Sequence, residues 1–210
     1  MDMGSKRRVT ALASVFSIAM AMSALVPATA QEPGSDPRCQ REGTICGTDR
    51  SETIRGTEGD DVIIAYGGHD TVYGLGGHDV LRLGSGNDGA TGDAGDDEIY
   101  AGEGNDIVIG NKGRDIIRLG SGNDGASGKK GFDTIYGNSG SDSLIGNESL
   151  DYLVGGAGSD WLDGSGGEDE LRGKGGWDQL RGKGGRDELY GGQSADDCRG
   201  GRGNDRTRSC

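Results

Sequence analysis

An aspartate recurs every nine residues, without a miss, along most of this chain. The series is Asp61, Asp70, Asp79, Asp88, Asp97, Asp106, Asp115, Asp124, Asp133, Asp142, Asp151, Asp160, Asp169, Asp178, Asp187, Asp196 and Asp205. A fixed period of this kind is the signature of a repeat architecture and outranks every local signal. Two residues before each Asp stands Gly, except at Ser149 and Ser194. Two residues after it stands an apolar residue, from Ile63, Val72 and Leu81 through to Cys198, with only Thr207 departing. The unit therefore reads G-x-x-G-x-D-x-U-x, with U apolar.

The three residues around each U suit a short strand whose central side chain points in and whose neighbours point out. The glycines let the backbone turn with positive φ. Two units return the chain to its starting side, one strand spacing further on, so that a pair of units makes one coil. A longer echo supports this: Arg82–Tyr100 and Arg118–Tyr136 are near copies, two coils apart. Composition alone points toward disorder, since only 31 % of residues are hydrophobic and Gly occurs 45 times, a balance that leaves little to pack. The regular phase argues for order instead.

The unit resembles the RTX (haemolysin-type) calcium-binding nonapeptide G-G-x-G-x-D-x-U-x, over roughly residues 56–205. The resemblance implies an all-β fold, a right-handed parallel β-roll of two sheets with about 18 residues per turn. It also implies several Ca²⁺ ions held by the Asp side chains and by loop carbonyls. The expected ligands are Asp70, Asp88, Asp106, Asp124, Asp142 and Asp160 on one edge, and Asp61, Asp79, Asp97, Asp115 and Asp133 on the other. Loops one unit apart lie on opposite edges, and loops two units apart stack. Stacked carboxylates about 5 Å apart repel by about 3 kcal/mol at an effective dielectric of 20. A hard cation that prefers oxygen ligands reverses that sign.

The two edges differ in sequence. Before the Asp, the edge carrying Asp70 to Asp160 has Asn87, Asn105, Asn123, Ser141 and Ser159. The edge carrying Asp61 to Asp205 has His78, Arg114, Phe132, Leu150, Glu168 and Arg186 in that place. Asn tolerates left-handed backbone, so the Asp88–Asp160 edge is expected to be the stronger calcium ladder. Beside Asp151, Ser149 and Leu150 leave the loop less freedom.

Residues 1–30 form a separate object: Lys6, Arg7 and Arg8, an apolar run from Val9 to Val26, then Ala28-Thr29-Ala30. This reads as a cleaved secretory signal peptide with Gln31 as the mature N-terminus. Serines, Thr10 and the closing Pro27 make the run a poor membrane span. The whole chain has a net charge of −13, and losing three basic residues and one acidic residue brings the mature part to −15. Cations suit such a surface and nucleic acid does not.

Cys39 and Cys46 precede the repeats, and Cys198 and Cys210 end them. In an exported chain an even count favours disulfides. Three pairings are possible, and Cys39–Cys46 with Cys198–Cys210 closes the shortest loops. The expected organisation is a signal peptide at 1–30, an N-terminal cap segment at 31–55, the β-roll at 56–197 and a disulfide-closed cap at 198–210. Residues 172–210 carry nine basic and six acidic residues, a basic end on an acidic chain.

Nothing in the sequence argues for catalysis. His69 and His78 lie one unit apart, hence on opposite edges. No H-E-x-x-H, nucleophile elbow or P-loop occurs. Trp161 and Trp177 occupy different repeat positions and read as edge packing rather than as a sugar platform. The function expected is calcium binding by a secreted roll that folds on Ca²⁺. The competing reading is a calcium-dependent adhesion module for cell-wall or extracellular polysaccharide.

Overall fold

The computed structural model of the chain describes residues 36–41 and 43–210; the expected signal peptide, 1–30, lies outside them. Strand follows turn throughout, in about nine coils of about 18 residues. Ten strands, from Thr44–Cys46 to Arg206–Arg208, form one parallel sheet, and nine, from Thr53–Arg55 to Asp197–Arg202, form the other. Consecutive strands alternate between the sheets. Every strand partner lies two units away in sequence: Ala126 pairs with Val108 on one side and Leu144 on the other, and Ile135 with Ile117 and Leu153. The expected all-β parallel solenoid is thus observed, and Cys39–Cys46 and Cys198–Cys210 are the two disulfides.

Strands extend beyond the 56–197 span at both ends. Thr44–Cys46 pairs with Val62–Ile64, Thr53–Arg55 with Thr71–Tyr73, and Arg206–Arg208 with Glu188–Tyr190. Strand pairing asks only for free N–H and C=O groups on the neighbouring coil, so it continues where the side-chain motif fades.

Most strands are six residues long, not three, and two positions of each point inward. One is the expected apolar residue U. The other is the first residue of the next unit, buried at Ala65, Leu83, Ala101 and Leu119. Most units carry Gly there because space is short: a Cβ on Gly128 would overlap the Asp133 carboxylate. Where a side chain does enter, U shrinks in the same unit. Leu83 accompanies Ala90, Leu119 accompanies Ala126, and Ala101 accompanies Val108, whereas Gly137 accompanies Leu144. Each of these units supplies four or five aliphatic side-chain carbons to one shared core.

This exchange has an expected energetic signature. Leu119→Ala removes a fully buried side chain and is expected to cost about 2–5 kcal/mol. Ala126→Leu alone overpacks the same unit at about 1–3 kcal/mol. Combined, Leu119→Ala and Ala126→Leu exchange the two side chains and return the unit to its original five aliphatic carbons. Denaturant unfolding in excess calcium is expected to show the pair costing less than the two single changes added together. Strict additivity would show that the two positions fill unconnected spaces.

Candidate metal centre

Each repeat Asp sits at the end of its loop, directly before a strand. Sequence places it there because the glycine-rich turn must close first. Gly122, for instance, holds φ 143°, and a Cβ on it would overlap the carbonyl of Gly104 one coil earlier. Such an approach admits only glycine. The turn then delivers the carboxylate inward: Asp70, Asp88, Asp106, Asp124, Asp142 and Asp160 on one edge, and Asp61, Asp79, Asp97, Asp115 and Asp133 on the other, are all buried.

Within each edge the carboxylates form a ladder. The backbone N–H of one Asp donates to Oδ1 of the Asp one coil on, as from Asp88 to Asp106 and from Asp106 to Asp124, both at 2.8 Å. The opposite edge repeats this from Asp115 to Asp133 and from Asp133 to Asp151, both at 2.9 Å. Oδ1 is therefore accounted for. The second oxygen is not: Oδ2 is buried without a hydrogen-bond partner in fifteen Asp residues, from Asp70 to Asp196. Ten of the eleven expected ligands are among them. Asp61 is the exception, because Thr57 donates to its Oδ2 through the backbone N–H at 2.6 Å and the hydroxyl at 2.9 Å. Asp151, Asp169, Asp178, Asp187 and Asp196, outside the expected eleven, share the arrangement.

One ladder member escaped the Asp period. Glu52 is in phase, nine residues before Asp61. Its N–H donates to Asp70 Oδ1 at 2.8 Å, and its own Oε2 accepts from the Thr48 N–H at 2.8 Å. The signal available was a carboxylate in phase followed two residues later by Ile54.

A second relay runs through the residue before each Asp. On the Asp70–Asp160 edge, Ser51, His69, Asn87, Asn105, Asn123 and Ser141 each accept the N–H of the residue one coil later. On the opposite edge only Asp60, His78 and Asp96 do so, and the relay stops at Arg114. The two histidines are loop acceptors through Nδ1, on opposite edges. The loop at Asp151 keeps the common shape, but Ser149 must hold φ 84° to do it.

A buried carboxylate oxygen with no partner is costly. Burial accordingly pushes these acids up: Asp97, Asp106, Asp133 and Asp142 to about 6, Asp115, Asp160 and Asp169 to about 7, and Asp151 to about 8. Stacked neighbours push the same way, and the N–H donated to Oδ1 partly opposes it. Two species can satisfy such an oxygen, a proton or a cation. Calcium fits: it is hard, takes six to eight oxygen ligands and accepts carboxylates together with carbonyls.

Competition between proton and cation fixes a pH dependence. The folded pKa values lie above the ordinary carboxylate value of 3.8, so without metal the fold binds protons that the unfolded chain has released. Metal-free stability is then greatest below about pH 4 and is lost as pH rises through about 6 to 8. Calcium needs the carboxylates ionised. Its folding midpoint, followed by circular dichroism, is expected to fall steadily from pH 5.5 to 8. A midpoint independent of pH would show that the buried acids are not the ligands.

Among the described residues no helix is long and apolar enough to cross a membrane. No curated protein matches the chain. A family model, the RTX calcium-binding nonapeptide repeat (4 copies), matches seven overlapping stretches: 47–81, 55–90, 83–117, 91–126, 119–151, 145–176 and 172–206. Repeats of that family bind several calcium ions. With its period, its parallel coils and this match, which together cover residues 47–206, the chain belongs to the RTX calcium-binding nonapeptide-repeat family.

Proposed function

We propose that this is a secreted calcium-binding roll, exported unfolded and folded outside the cell by the ions it binds. The ligands are the stacked Asp residues, Asp70 to Asp160 on one edge and Asp61 to Asp133 on the other, completed by loop carbonyls. The row of buried, partnerless Oδ2 atoms carries this reading. Asp61, with Oδ2 already engaged by Thr57, is the weakest of the eleven. Residues 31–55 and 198–210 serve as end caps, since an uncovered solenoid end exposes strand edges that invite association. The role is structural or surface-associated rather than catalytic. An adhesive role toward extracellular polysaccharide is the second reading, and a specific groove favours it, as argued below.

Equilibrium dialysis of residues 31–210 against calcium tests the first reading. Several ions are expected per chain, with half-saturation at about 10⁻⁴–10⁻³ M, as in extracellular modules. Binding of one ion or none would refute it.

A further inference from the structure

Between Gly56 and Leu171 the chain has only three lysines, Lys112, Lys129 and Lys130. All three line one groove of about 710 Å³, together with Asp93, Ala94, Asn111, Asn147, Glu148 and Ser165. The groove follows the edge of the Asp97, Asp115, Asp133 and Asp151 loops. Asp93, Asn111, Lys129, Asn147 and Ser165 are successive register partners, each one coil from the last. The groove therefore crosses five coils, about 19 Å of sheet.

Two further observations mark it as built for a ligand. Asp93, Asn111, Lys129, Asn147 and Ser165 all hold left-handed backbone, φ 71° to 86°, a conformation costly for residues with a Cβ. In the matching place the opposite edge mixes glycine, at Gly84, Gly102, Gly120 and Gly156, with side chains at Tyr66, Asn138 and Lys174, whereas the groove holds a side chain there in every coil it crosses. Side chains are thus kept where glycine would relieve strain. Outside the groove lining, two residues after Lys130 and Glu148 in sequence, Phe132 and Leu150 are 56 % and 49 % exposed. They occupy loop positions where Asp60, His78 and Asp96 accept a hydrogen bond from the next coil. Neither hydrocarbon side chain can accept one.

The acids in the groove are engaged from within. Asp93 Oδ1 accepts from Asn111 at 3.0 Å, and Glu148 pairs with Lys130 at 3.8 Å. Among the described residues Lys112 and Lys129 make no ion pair. By contrast, the Arg–Tyr row on the outer face of the larger sheet is satisfied internally: Arg118 packs on Tyr100 and Tyr136 and pairs with Glu98.

We propose that this groove binds an extended acidic polysaccharide. The lysines meet its carboxylate or sulfate groups, and Asn111, Asn147 and Ser165 its hydroxyls. The coil spacing of about 4.8 Å is close to the length of one pyranose ring along an extended chain, so each coil can meet one sugar. A peptide strand advances about 3.3 Å per residue and falls out of step. The proposal rests on the calcium-folded roll of the preceding section.

The test uses residues 31–210 in excess calcium, with circular dichroism confirming the fold before any binding is measured, so that failure to fold and failure to bind are separate results. Isothermal titration with hyaluronan fragments is expected to show binding that weakens with salt, and neutral dextran to bind at least about tenfold more weakly. Lys129→Ala is expected to weaken hyaluronan binding about tenfold, and Lys174→Ala, on the opposite edge, to leave it unchanged. If Lys129→Ala disturbs the fold, Lys112→Gln combined with Lys130→Gln carries the same expectation. Equal affinity for dextran, or undiminished binding by the folded lysine variants, would overturn the proposal. Capture by phosphatidylserine vesicles without hyaluronan binding would overturn it in favour of a membrane surface.

Discussion

In chelator at pH 7.5, residues 31–210 are expected to lose their β-sheet circular dichroism, and to regain it cooperatively as free calcium passes about 10⁻⁴–10⁻³ M. The reason is the placement of charge. At that pH Asp97, Asp115 and Asp160, for example, must either ionise without a partner or hold a proton against pKa values of about 6 to 7. Fifteen such oxygens lie along two ladders, and each coil is held chiefly by its neighbours, so the penalty cannot be confined to one place. A divalent cation removes it along the whole ladder, and metal binding then becomes folding free energy. Magnesium at the same concentration is expected to fail, because it gives up water reluctantly and demands a tighter octahedron. A sheet signal unchanged by chelator would refute the coupling.

Asp106→Ala is expected to raise the calcium concentration needed for folding about tenfold, and Asp151→Ala clearly less. Both changes delete the same carboxylate from the same hydrogen bond: Asp106 Oδ1 accepts from the Asp88 N–H and Asp151 Oδ1 from the Asp133 N–H, while the backbone N–H groups that donate to Asp124 and Asp169 remain. Each variant leaves one buried N–H without its acceptor, a shared penalty of about 1–3 kcal/mol. What differs is the surroundings. The Asn105 side chain, before Asp106, accepts the N–H of Asn123 at 2.7 Å, whereas the side chain of Leu150, before Asp151, can accept nothing. Ser149 is strained at φ 84°. Burial holds Asp151 near 8 against about 6 for Asp106, so protons compete harder for it at neutral pH. Calcium titrations by circular dichroism in one buffer compare the two variants directly. Equal midpoints, or a larger shift for Asp151→Ala, would show that the edges are energetically alike.

Most of the ladder is legible in the sequence because a solenoid turns period into contact. Once two units make a coil, Asp88, Asp106 and Asp124 must stack, Ile117 must lie between Ile99 and Ile135, and Asp70 must fall on the same edge as Asp88. The cysteines follow from the same linearity: ends that never meet leave Cys39 only Cys46 nearby, and Cys198 only Cys210. Glu52 was obscured because its longer side chain breaks the Asp pattern while keeping its place.

Period alone determined the coil, the sheets and which residues are neighbours. Which atoms meet was decided only in the folded chain. Rotamer and backbone handedness depend on what lies one coil away, and that neighbour is two units off in sequence. Hence Thr57 takes Asp61 Oδ2 while fifteen other Asp residues keep theirs free, Leu83 and Leu119 enter a core that other units reserve for glycine, and lysines spread over two coils converge on one groove. A side chain's identity sets what it can donate, accept or fill; the coil stacked against it sets which of these it does.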